Sequence, residues 1–135
     1  MSKSRAFSIL LLSLVPGAAV ACVLAAAGAG AGGGIYLTSR GVESIVNAPI
    51  EQALHASERT FQQMDIERTS YGEEDSGRRR RLEGRAHEQD LDVAVEMEAT
   101  DSATTRVEVT ARSSLVTWDK DYARSVLERI VDLSI

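Results

Sequence analysis

Acidic residues are absent before Glu43, and no charge of either sign lies between Arg5 and Arg40. The chain also holds only one cysteine, two prolines, two histidines and one tryptophan in 135 residues. A single Cys excludes an internal disulfide, so a hydrophobic core has to hold any fold. His55 and Glu58 stand three apart on a predicted helix, a spacing that can hold a metal, but they lack a partner pair to complete a site, so no metal is expected. No nucleophile is activated either: Ser113 and Ser114 have no histidine close in sequence, and Cys22 lies in the uncharged run. No catalytic residue, and hence no enzyme, and no cofactor are expected. Removing Lys3 and Arg5 from the 15 bases leaves 13 against 20 acids, a net charge of −7. That balance disfavours nucleic acid, whose binding is dominated by phosphate neutralisation.

The uncharged run admits two readings. "MSKSR" followed by "AFSILLLSLV" has the basic start and short apolar stretch of a secretory signal, and Pro16-Gly17 breaks it where a cleavage region would begin. "AAVAC" then places small or apolar residues before Cys22, the pattern of bacterial lipoprotein precursors in which the Cys is lipidated, with Ala19 standing where Leu is usual. Alternatively, Phe7 to Ala27 supplies the roughly 20 apolar residues that cross a bilayer. Gly28, Gly30, Gly32 and Gly34 would then form two interleaved GxxxG pairs for helix packing. Lys3 and Arg5 ahead of the run place the N-terminus in the cytoplasm, retained or cleaved, and the rest outside. The chain therefore divides into 1–22, signal peptide or start of a membrane helix, 23–40, Gly/Ala-rich tether or end of that helix, and a domain over 41–135.

That domain has about 95 residues, enough for one modest core. "GVESIVNA" predicts a short first strand. From Pro49 the period becomes helical, with Ile50, Leu54, Ser57, Phe61 and Met64 as the apolar stripe and Asn47 as a candidate cap. "DIERTSY" reads as a strand, "GEEDSG" as a turn, and "RRRRLEGRA" as a strand with Leu82, Gly84 and Ala86 on one face. "DLDVAVEMEA" alternates strictly, as does "TRVEVTAR", so both border one apolar and one wet face. Their apolar faces coincide only when paired positions sum to an even number. A sum of 204 sets Glu98 opposite Arg106 and Asp92 opposite Arg112, with Glu96 against Glu108 as its flaw. "DKDYARSVLERIVDLS" closes the chain as a second amphipathic helix with Asp119 and Asp121 at its positive end. The expected fold is α+β: strand, helix, four strands, helix, forming an antiparallel sheet with both helices on its apolar face.

Arg78 to Arg81 alternate between faces in a strand and have Glu73, Glu74 and Asp75 across the turn, which argues against one anion-binding patch. Trp118, between the last strand and the last helix, either lids the core or, with Tyr122, offers an aromatic contact to a partner.

The export segment ending at Cys22, the Gly/Ala tract running into "GIYLTSRGVESIVNAPIEQALHASERTFQQMDI", and the closing "WDKDYARSVLERI" together resemble a bacterial family of small uncharacterised lipoproteins, a domain of unknown function. That resemblance implies a membrane-anchored, extracytoplasmic α/β domain and carries over no catalytic residue. The expected partners are membrane lipid and a membrane or periplasmic protein, bound without catalysis. The alternative is a single-span accessory subunit that stabilises an integral membrane complex.

Overall fold

The computed structural model describes residues 34–135. Its elements are β1 (Tyr36–Leu37), β2 (Gly41–Val46), α1 (Ile50–Gln63), β3 (Ile66–Glu74), β4 (Arg79–Ala86), β5 (Leu91–Ala99), β6 (Thr105–Arg112) and α2 (Lys120–Leu133), with a 3-10 turn at Asp75–Gly77 between β3 and β4. The strands form one six-stranded sheet in the order β1-β2-β6-β5-β4-β3, every neighbour antiparallel. Both helices pack on one face of it and against each other, α2 over β2 and β6, α1 over β3 and β5. The fold is therefore the expected α+β arrangement with one strand more, because β1 lies within the 23–40 segment read as tether or membrane helix. No helix among the described residues is long and apolar enough to cross a membrane.

Alternation decides which face is which. Val93, Val95 and Met97 of β5 and Val107, Val109 and Ala111 of β6 are buried beneath the helices, while their neighbours in sequence face away. The two strands pair with Asp92 opposite Arg112, Glu96 opposite Glu108 and Glu98 opposite Arg106, the 204 register. A one-residue slip would turn every one of these side chains to the wrong face.

α1 meets the sheet largely through small residues. In α1 the buried residues are Ala53, Ala56, Ser57, Thr60 and Phe61, whereas Ile50, Leu54 and Met64 flank the contact. Small residues at the centre of the stripe let the helix axis approach. Ser57 and Thr60 hydroxyls donate to the carbonyls one turn back, at 2.8 Å each, so neither is buried unpaired. Asn47 does not cap α1; Pro49 occupies the N-cap position, and no side chain bonds there. Glu51 of its first turn instead receives both terminal nitrogens of Arg80, at 2.7 and 2.6 Å. In α2 Asp119 caps, accepting from the Tyr122 amide at 2.9 Å.

β3 runs through Gly72–Glu74, so the predicted turn shrinks to Asp75–Gly77, where Asp75, Ser76 and Gly77 all take positive φ. A register shift between Arg68 and Ser70 bends this edge strand, one of the devices that discourage edge-to-edge pairing.

Strand directions define two ends. β2 and β3 run one way; β1, α1 and the return strand β6 run the other. One end carries the β2–α1 connection, the β5–β6 turn and the side where residue 34 precedes β1. There the Gln52 amide donates to the Ser134 carbonyl at 2.5 Å, tying the start of α1 to the end of α2. The opposite end carries the β1–β2 turn, the β4–β5 turn and the β6–α2 connection.

Candidate functional site

The face of the sheet away from the helices is a shallow charged trough of about 580 Å³, lined by Arg79, Arg81, Arg106, Glu96, Glu98 and Glu108 among others. Most of its charge is consumed across strands. Arg81 bonds Glu83 and Glu96, Arg85 bonds Asp90 and Asp92, and Arg79 lies 3.8 Å from Glu98. Arg81 holds the Glu83 carboxyl below the usual carboxylate range, chiefly through that hydrogen bond, with Ser70 donating a second. Glu43, Glu108 and Glu96 stand side by side on β2, β6 and β5, a like-charge row that weakens the pairing slightly. Among the described residues no three His, Cys, Asp or Glu side chains are placed to hold a metal. His55 and Glu58 come within 3.7 Å, but Arg68 takes the same carboxylate at 3.2 Å.

The arginine run splits as alternation requires. Arg79 and Arg81 lie on the trough side, and Arg80 points to the helix side with its side chain only 10% exposed, held by Glu51 and Glu73. Of the acids expected across the turn only Glu73 takes part; the other partners come from α1, β4 and β5.

The β6–α2 connection is built differently. After Arg112 the chain leaves the sheet and returns: the Ser113 amide donates to the Thr117 carbonyl at 3.0 Å, Trp118 forms an isolated antiparallel bridge with Arg112, and the Asp119 amide donates to Ala111 at 2.8 Å. These bonds close a narrow loop whose apex is Leu115 and Val116, 83% and 84% exposed. Two adjacent aliphatic side chains left in water at a loop apex are unlike the scattered apolar atoms of an ordinary surface.

Trp118 forms the base of this loop. Its ring has the Arg112 guanidinium 5.8 Å and the Arg40 guanidinium 5.6 Å from its centroid, within cation–π range. Arg40 is delivered by the β1–β2 turn, where Thr38 Oγ1 accepts from the Arg40 and Gly41 amides, and Lys120 Nζ donates to the Thr38 carbonyl at 2.8 Å. Trp118 is partly buried but is not among the residues packed against the core; it bridges Arg112, on the sheet face away from the helices, and keeps its ring toward the arginines. Tyr122 is partly buried against the core, and its hydroxyl is enclosed with no hydrogen-bond partner. Burial and then the Asp119 charge push that phenol up.

Of the residues singled out from sequence, Cys22, Gly28, Gly30 and Gly32 lie outside the described residues. Gly34 is buried just before β1 and in no helix. Sequence reasoning found Trp118 but missed Leu115, Val116, Arg40 and Arg112 as its companions. The available signal was Ser113-Ser114 ending the strand alternation just before two aliphatic residues in a polar context.

No characterised protein in the curated set matches this chain. A family model described as "Protein of unknown function (DUF3568)" matches residues 5–132, nearly the whole sequence, and the chain belongs to that family.

Proposed function

We propose that this protein is a bacterial, membrane-tethered, extracytoplasmic binding module without catalysis, and that it meets a protein partner through the loop built on Trp118. The observation that carries the reading is the exposed Leu115–Val116 apex at the end of the sheet opposite the side where residue 34 precedes β1. A chain attached to a membrane through its N-terminal run would thus present the apolar apex on the far side of the domain. Composition supports a binding role, because Trp and Arg dominate the residues whose removal costs most at protein interfaces.

Gentle solubilisation of the full-length protein from its own membranes tests this. A stoichiometric protein partner is expected with the natural chain and is lost when Leu115 and Val116 are both replaced by Ser. Recovery of a lone monomer in both cases overturns the reading.

The manner of attachment is a separate proposal: lipidation of Cys22 after cleavage, supported by the short apolar stretch ending near Pro16. The second reading, an accessory subunit held by a retained helix, is favoured by the absence of charge from Ala6 to Ser39. Intact-mass measurement separates them. An acylated N-terminus at Cys22 sinks the retained helix, and an unprocessed terminus at Met1 or Ser2 sinks the lipoprotein.

A further inference from the structure

We infer that the partner surface taking the Trp118 loop is an apolar pocket bordered by carboxylates, which pair with Arg40 and Arg112 while Leu115 and Val116 fill the pocket. The inference rests on the binding reading above and adds the chemistry of the partner.

The first argument is the contrast among the arginines. Arg68, Arg79, Arg80, Arg81 and Arg85 each have a carboxylate within 4.0 Å. Among the described residues Arg40 and Arg112, like Arg59, Arg78, Arg106, Arg124 and Arg129, are in no ion pair, and what sets these two apart is the Trp118 ring they share. Both guanidiniums lie over one indole instead, and a stacked guanidinium keeps its N–H edge for an in-plane acceptor, which suits a carboxylate bidentately.

The second argument is pre-organisation. Arg40 leaves a turn fixed by four hydrogen bonds at Thr38, three accepted and one donated to the Gly41 carbonyl, and Arg112 is the last paired residue of β6. The backbone that carries both arginines therefore needs no ordering on binding, one of the costs that association otherwise has to meet.

The third argument selects protein over lipid. An apolar apex above a basic collar also describes a loop that dips into an anionic bilayer. A bilayer, however, presents a broad negative surface to residues 34–135 as a whole, whose net charge of −7 repels it. Carboxylates placed only around a pocket act within about 8 Å, the screening length at physiological salt, and meet the local arginine pair without facing the acidic remainder.

Photo-crosslinking in the native membrane tests this with the full chain. A benzophenone amino acid replaces Leu115 and, as a control at the other end of the sheet, Ser102. At position 115 we expect one discrete protein adduct, absent from position 102. It falls at least tenfold when Arg40→Glu and Arg112→Glu are combined, and returns when the carboxylates mapped beside the cross-link are changed to Lys. If charge reversal lowers the amount of folded protein, the Arg40→Gln, Arg112→Gln pair is expected to weaken the adduct in the same direction. An adduct that neither pair weakens overturns the carboxylate-bordered pocket and leaves the binding reading standing. Adducts only to lipid or to a second copy of this chain, or no adduct, overturn both.

Discussion

Replacing Gly84 by Ala is the sharpest test of how α1 is seated on the sheet. Gly84 lies on the helix side of β4, opposite Val93 of β5 and Arg68 of β3. A methyl group there would lie 2.7 Å from Phe61 Cε2, 2.6 Å from Ile66 Cγ2 and 2.8 Å from the Glu67 carbonyl oxygen. All three are closer than carbon contacts tolerate, and one is backbone, so the ring cannot simply rotate aside. The Phe61 ring therefore rests against the space a Cβ would need, which lets the C-terminal turn of α1 seat on β4. Overpacking of this kind costs about 1–3 kcal/mol. Against it stands the roughly 0.5–1 kcal/mol that Ala gains over Gly by restricting the unfolded chain. Three such contacts, one of them to backbone, put this site in the upper half of the overpacking range, so a net loss of about 1–2.5 kcal/mol is expected, equivalent to a fall in Tm of about 5–20 °C for a domain of this size. Thermal and urea unfolding of the purified full-length protein measure it. A double-mutant cycle with Phe61→Leu gives the cause, because trimming the ring should recover part of the loss. Unchanged stability in Gly84→Ala, or strict additivity with Phe61→Leu, would refute the seating described.

Three further outcomes follow from particular side chains. Ser44 is fully buried and its hydroxyl has no partner, so Ser44→Ala should be neutral or stabilise by up to about 1 kcal/mol, and a clear loss in urea unfolding would point to a hydrogen bond not present in this structure. Tyr122→Phe removes an enclosed, unpartnered hydroxyl and should likewise not destabilise at pH 7. Because burial raises the Tyr122 phenol above its usual value, the natural protein should lose stability as pH rises above about 10, a loss that is smaller in the Phe variant. Arg80 holds the Glu51 carboxyl below the usual carboxylate range through its hydrogen bonds. A lowered acid contributes stability above its unfolded value that is lost as pH falls through the folded one, so the stability gap between the natural chain and Glu51→Gln should close as pH drops below about 4, and a gap independent of pH would contradict the ion pair.

The sheet was legible because β5 and β6 each alternate strictly and carry opposite charges at matching positions. Only an even register buries both apolar faces, and 204 also sets Asp92 and Glu98 against arginines. In α1 the stripe Ile50, Leu54, Ser57, Phe61 and Met64 does face the sheet, with Ser57 and Phe61 buried and the other three at its margins, but hydrophobicity alone passed over Ala53, Ala56 and Thr60, whose merit is being small. β1 could not be read, since two residues show no period and Tyr36–Leu37 gain their place only by pairing with Val42 and Glu43. Trp118 was conspicuous as the single Trp, but its arginine neighbours were not. Arg112 reaches it through a bridge that closes a loop, and Arg40 reaches it from the far side of the sequence, through a turn that a local pattern does not join to α2.

The separation of the two ends bears on how binding and folding can be tested apart. The core lies between the sheet and the helices, and the contacts that lock it, Gly84 under Phe61 and Arg80 with Glu51, are on the α1 half of the molecule. The Leu115–Val116 apex extends beyond Arg112 on the α2 side and remains more than four-fifths exposed. Substitutions at such exposed positions usually change stability by less than about 0.5 kcal/mol, whereas losing both side chains from an interface pocket removes about 1.5–3 kcal/mol of burial for each. Replacing Leu115 and Val116 by Ser should therefore leave the unfolding curve in place and weaken partner capture by at least a hundredfold. Gly84→Ala should do the reverse, lowering Tm while the folded fraction still binds. A parallel loss of stability and capture in the Leu115, Val116 variant would mean that the apex belongs to the fold, and the docking surface would have to be sought on the charged face of the sheet instead.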